Sequence, residues 1–165
     1  MDKYIQLPES KTIKIGIKNS DGSIKKDKDG KEIYLEFDME DIELPLKYQK
    51  CEFLVRKAQQ DLKFDYLIID KHQDIKGKFL LSKNQEDKIK ATQKFYKTME
   101  EAMDMFIGQG GVQKIFGDRR YLRMFDDLGD MLEPILPLLK NNVDNIDKEI
   151  KEKYKTTDKE TLKDE

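Results

Sequence analysis

The chain holds one cysteine and one histidine in 165 residues. With Cys51 alone, no intramolecular disulfide can form, and His72 has no second histidine to complete a zinc site with it. Cys51 falls at an apolar position of a helical pattern, where a thiol reads as a small buried hydrophobe rather than a nucleophile. His72, in DKHQD, reads as a surface histidine, so nucleophile–base catalysis has no footing. No apolar run approaches the length that spans a bilayer, and the opening MDKYIQLPESK does not resemble a signal peptide, so a cytoplasmic protein is expected. Charge of one sign is also missing: 32 Lys+Arg against 34 Asp+Glu leave a formal charge of −2. The bases are interleaved with acids, as in KKDKDGKE, and neither a nucleic-acid footprint nor a membrane-binding surface is expected.

Glycine and proline are scarce, at nine and four. Charged residues are abundant at 40 %, against about 25 % in an average globular protein. Long, surface-exposed helices around a modest core follow from that mixture, within the length of one ordinary domain.

Residues 11–18 (KTIKIGIK) alternate through Ile13, Ile15 and Ile17, and 33–37 (IYLEF) through Ile33, Leu35 and Phe37. Both carry the period of a half-buried strand, and the two DG steps between them predict a hairpin with a long, polar, mobile connection. From Lys47 to Asp74 there is neither glycine nor proline. Cys51, Val55, Ala58, Leu62, Tyr66 and Ile69 recur at helical spacing, with Gly77 as the expected stop. Ser82 or Asn84 is expected to cap a second long helix, which runs to about Ile107 with Ile89, Thr92, Phe95 (or Tyr96), Met99, Met103 and Phe106 on one stripe. Gly108–Gly111 break it, VQKIF makes a turn or two before Gly117, and Asp118 is placed to cap a last helix through Ile150. Pro134 and Pro137 are expected to kink or divide that helix. From Asp147 the charge-dense tail is expected to fray. The reading is a mainly α protein: a helical bundle of three to five helices with an N-terminal β-hairpin. It divides into a hairpin element over 1–45, a helical domain over 46–150 and a charged, disordered tail over 151–165.

Two stretches invite a chemical reading. Gly108-Gln109-Gly110-Gly111 follows a helix rather than a strand and lacks the Gly-Lys-Ser/Thr of a phosphate loop, so it reads as helix punctuation. Asp126, Asp127, Asp130 and Glu133 share nearly one helix face, and Glu100, Glu101 and Asp104 lie on the preceding long helix. Facing helices with such acids can hold Mg²⁺, which keeps an all-α, Mg-dependent nucleotide pyrophosphatase-like enzyme as the alternative function. The blander reading is a solvated face paired with Arg119, Arg120 and Arg123. The remaining feature is apolar density over Met103–Leu139, which suits a core and also a surface that adapts to a partner, so self-association or partner binding is expected.

The segment EEAMDMFIGQGGVQKIFGDRRYLRMFDDLGDMLEPILPLL resembles small tail-assembly proteins of phages and prophages of Gram-positive bacteria. The matching pieces are Met105–Gly111, Lys114–Gly117 and a helix over Arg120–Leu136, with LPLKYQKCEFLVRKAQQDL as the long helix after the hairpin. The chain reads Gly108-Gln109-Gly110 where that family carries Gly-Glu-Gly. The resemblance spans roughly Ile42 to Lys155 and implies a non-enzymatic tail assembly chaperone. Such a protein coats the tape measure protein, and possibly meets the tail tube protein, as a homo-oligomer in the bacterial cytoplasm. A structural tail component retained in the particle is the other alternative. The resemblance implies no cofactor, no metal and no catalytic residue. Met103, Phe106, Ile115, Phe116, Tyr121, Met124 and Phe125 are the expected contributors to partner contact.

Overall fold

A computed structural model describes residues 3–9 and 11–154. Among the described residues the protein is mainly α, with an N-terminal two-stranded antiparallel hairpin and five helices, which is the expected fold class. Its contacts divide it into two compact units, one formed by Met1–Pro45 with Tyr121–Glu165 and the other by Leu46–Arg120. The hairpin, set apart at 1–45 by the sequence pattern, thus shares its unit with the C-terminal helices rather than standing alone.

In the first unit, β1 (Thr12–Gly16) pairs with β2 (Tyr34–Asp38), Ile13 opposite Phe37 and Ile15 opposite Leu35. The alternation places Leu35, Phe37 and, just beyond β1, Ile17 in the buried interior. The connection is polar, as expected, and it holds two tight turns with the same backbone closure. The Asn19 amide reaches the Ser23 carbonyl at 2.7 Å and the Asp27 amide reaches the Lys31 carbonyl at 2.8 Å. The Asp21 carboxylate accepts from the Ser23 amide, and the Asp27 carboxylate from the amides of Asp29 and Lys31. Gly22 and Gly30 supply the positive φ of 84° and 77° that each turn requires.

The same unit contains α4 (Met124–Leu132) and α5 (Ile135–Tyr154). Pro134 stands between them, so the expected interruption is a full break there, while Pro137 is absorbed in the first turn of α5, where its missing N–H has no helical partner to lose. Met124, Leu128, Leu132, Ile135 and Leu139 are buried. Asp118 does not cap this helix: Arg123 occupies the cap position, and the Asp118 carboxylate instead accepts from Gln113 Nε2 at 2.8 Å. The fraying expected from Asp147 does not set in there either, for α5 continues to Tyr154 with Lys151 paired to Asp147 at 3.0 Å. The rest of the expected tail, 155–165, lies outside the described residues.

In the second unit, α1 (Leu44–Lys71, entering from Pro45) and α2 (Lys83–Ile107) pack antiparallel. Their order is read from four contacts: Tyr48 edge-on to Phe106 with ring centroids 5.2 Å apart, Cys51 Sγ 3.6 Å from Met103 Sδ, the hydroxyls of Tyr66 and Thr92 at 2.7 Å, and Asp70 paired with Lys88 at 2.5 Å. The expected inward face of α1 is the one used, with Cys51, Ala58 and Ile69 buried and Val55, Leu62 and Tyr66 half-buried. Gly77 does not stop α1, which ends six residues earlier. The chain leaves the helix there because its polar groups are taken up by the start of α2. His72 O accepts from Asn84 Nδ2, the Asp74 carboxylate accepts from the Asn84 amide, and Ile75 O accepts from the Lys83 amide. The Asn84 amide and then the Ser82 hydroxyl hold the Asp74 carboxyl below the usual carboxylate range. Gly77 is needed for a different reason: a Cβ there would run into the Leu81 carbonyl. Ser82 caps α2 with a reciprocal bond from Gln85, and Asn84 serves the connection instead.

Candidate functional site

The glycine-rich stretch resolves into helix punctuation. The Gly108 amide closes α2 on the Asp104 carbonyl, Gly110 takes φ 74°, and α3 (Gly111–Phe116) begins at once. The Asp104 carboxylate then reaches across the turn to accept from the Val112 amide at 3.0 Å and the Gly110 amide at 3.2 Å. Two orphan amide donors at the start of α3 are satisfied by a side chain from the preceding helix. At the other end of α3, Arg120 binds the Gly117 carbonyl at 2.7 Å, Gln113 at 3.2 Å and the Glu100 carboxylate at 2.9 Å. Of the acids singled out in the sequence, Asp104 and Glu100 are therefore structural clasps of the second unit, and Asp127 accepts from the Tyr121 hydroxyl at 2.8 Å in the first. Among the described residues, no three His, Cys, Asp or Glu side chains lie together as a metal ion would require.

The seven expected contact residues fall on both sides of the surface. Met103, Phe106, Ile115 and Met124 are buried, Met124 completely, whereas Phe116, Tyr121 and Phe125 are half-buried. Met103 and Phe106 face α1 through Cys51 and Tyr48. Both belong to the second unit, whereas Tyr121, Met124 and Phe125 belong to the first.

The exposed apolar surface lies elsewhere, on α1. Leu46 and Phe53 are each 66 % exposed, Phe64 62 %, Leu67 54 % and Ile68 38 %. At about 100° per residue these five side chains fall in one stripe, centred about 140° around the helix axis from Cys51, Ala58 and Ile69. Hence α1 is apolar on two opposite sides, one covered by α2 and one facing outward. Ile75, Phe79 and Leu80, in the connection that follows, are also exposed. The sequence carried this signal as a second periodicity within the same helix. It was hidden because Lys50, Lys57, Gln60 and Lys71 interrupt the stripe, and a search for one apolar face stops at the first. In the first unit a cleft of about 410 Å³ opens between Lys11, Ile13 and Ile42 on the hairpin side and Leu138, Asn142 and Ile146 on α5.

By fold this is a mainly α protein with an N-terminal β-hairpin, and no helix among the described residues is long and apolar enough to cross a membrane. No protein family, curated protein or solved structure matches the chain.

Proposed function

We propose that this protein is a non-enzymatic assembly chaperone that covers an amphipathic helical client and self-associates. The client suggested by the resemblance described above is a phage tape measure protein in the bacterial cytoplasm. The observation that carries the reading is the outward stripe of α1, where large apolar side chains stand in water on a helix that is already packed on its other side. Burying such side chains is worth about 25 cal/mol per Å² of apolar surface, so the stripe favours coverage by other polypeptide. An amphipathic client helix has the matching problem, an apolar face that aggregates when left open, and helix-on-helix docking solves both. The dense charge on the rest of the surface keeps such a complex dispersed. Three of the seven acids that could have served hydrolysis, Asp104, Glu100 and Asp127, are held by backbone amides, Arg120 and Tyr121, which lends some support to binding over chemistry. Co-expression with the tape measure protein of the same genome is expected to yield a soluble complex. A tape measure protein that remains insoluble in its presence refutes the reading, and recovery of the protein from purified particles replaces it with that of a structural tail component.

A further inference from the structure

The cleft of about 410 Å³ in the first unit is lined by Ile13, Met39, Ile42, Leu138 and Ile146, none of them buried, and by Asn142. Asn142 Nδ2 is itself buried and, among the described residues, has no hydrogen-bond acceptor. A buried amide donor without an acceptor is costly, so the cleft calls for an occupant that brings one. A carbonyl oxygen flanked by apolar side chains meets both needs, and that is the chemistry of an extended polypeptide. One such segment is tethered at the rim. Lys11 lines the cleft, and residues 3–9, just before it, are exposed, with Tyr4 at 87 %, Ile5 at 90 % and Leu7 at 81 %. Ile5 and Leu7 stand two apart and so share one face of an extended stretch, and Pro8 favours that conformation at Leu7.

We propose that this cleft is the docking site of the chain's own N-terminal segment. The segment folds back at Lys11, sets Ile5 and Leu7 against Leu138 and Ile146, and places a backbone carbonyl on Asn142 Nδ2. The structure holds the segment outside the cleft, and docking is the closed arrangement of the same unit. The reach is sufficient. Leu7 lies four residues from Lys11 and Ile5 six, at most about 14 and 21 Å of extended chain. The helical stretch from Leu138 to Ile146 is about 12 Å long. A tether this short sets an effective concentration of about millimolar, which favours the chain's own segment over a free peptide or a second copy. The charges agree as well. Of residues 3–8 only Lys3 is charged, and the rim offers it Glu40 and Glu149. Docking takes two apolar side chains out of water at the expense of chain order, so the segment exchanges between the open and closed arrangements. The inference rests neither on the client nor on the self-association in the proposed function.

A nitroxide attached at Gln6→Cys in the full chain reports where the segment lies, because Cys51 is buried and stays unlabelled in the native protein. It is expected to broaden the NMR signals of Asn142 and Ile146. Leu138 is 42 % exposed, so Leu138→Ser leaves the helical spectrum unchanged, and it is expected to relieve that broadening. Signals of Ile146 equally broad, or equally sharp, in the two proteins overturn the proposal. Nitroxide-labelled protein mixed with isotope-labelled protein that carries no nitroxide is expected to leave Ile146 sharp. Broadening in the mixture moves the segment to a second copy and overturns docking within one chain. Chymotrypsin is expected to cut after Tyr4 about tenfold more slowly in wild type than in Leu138→Ser, the ratio for a segment docked about nine-tenths of the time. Equal rates overturn the proposal. The side-chain amide protons of Asn142 are expected to exchange faster in Leu138→Ser, and unchanged exchange assigns that amide to a bound water and overturns the carbonyl contact.

Discussion

Replacing Met124 by alanine removes Cγ, Sδ and Cε from a side chain with 0 % exposure at the start of α4. At about 0.8 kcal/mol for each buried methylene-sized group the transfer term is about 2.4 kcal/mol. The cavity left behind raises the cost to about 3–4 kcal/mol, within the range found for Met→Ala in cores. Leu122, two residues earlier, is 85 % exposed, and Leu122→Ala is expected to cost less than about 0.5 kcal/mol. The pair therefore separates a core residue from a surface residue within one short stretch that the sequence presents as uniformly apolar. Urea denaturation followed by circular dichroism gives both values, and the thermal midpoint of Met124→Ala is expected to fall by at least about 6 °C. If Met124→Ala left stability unchanged but lost client binding, Met124 would be a contact residue. The assignment of this segment to the interior of the first unit would then be wrong.

Asp104→Ala strips the acceptor from the Gly110 and Val112 amides and is expected to cost about 1–3 kcal/mol, read as faster hydrogen exchange confined to 108–117. Tyr66→Phe removes the hydroxyl contact with Thr92 and is expected to cost about 0.5–1.5 kcal/mol by denaturant titration, with no change in oligomeric state. Burial, and then the Glu52 carboxylate, pushes the Cys51 thiol up to about 11 from 9.0. Folding thus favours the protonated thiol, a contribution complete below pH 9.0 and lost as the pH rises toward about 11. A thiol reagent at pH 8 is expected to label Cys51 only after denaturation, and rapid labelling of the native protein would contradict its burial. Gly77→Ala forces a Cβ onto the Leu81 carbonyl and is expected to destabilise the α1–α2 connection, measurable as new proteolysis between Lys71 and Lys83.

Local patterns explain why so much of the secondary structure was legible. Alternation in KTIKIGIK and IYLEF, the unbroken run from Lys47, a cap at Ser82 or Asn84 and the glycines at 108–111 and 117 are each signals carried by residues a few positions apart. Where the reading failed, a longer-range partner intervened. Gly77 looked like a helix stop, but the chain had already left α1 to bond with Asn84. Asp118 looked like a cap, but Gln113 holds it. The seven expected contact residues divided between core and half-exposed positions because apolar density alone does not say which side a second helix covers.

The sequence by itself determined the class of protein: three to five helices after one hairpin, no disulfide, and a surface of balanced charge. These follow from periodicity, composition and the scarcity of chain breakers. Only the tertiary structure decided which apolar stripe of α1 lies against α2, which acids are occupied by amides and an arginine, and that the hairpin shares a unit with helices more than eighty residues away in sequence. A helix with two greasy sides offers both to a neighbour equally. Which one is buried depends on the Cys51–Met103 and Tyr48–Phe106 contacts, made by residues more than fifty positions apart along the chain.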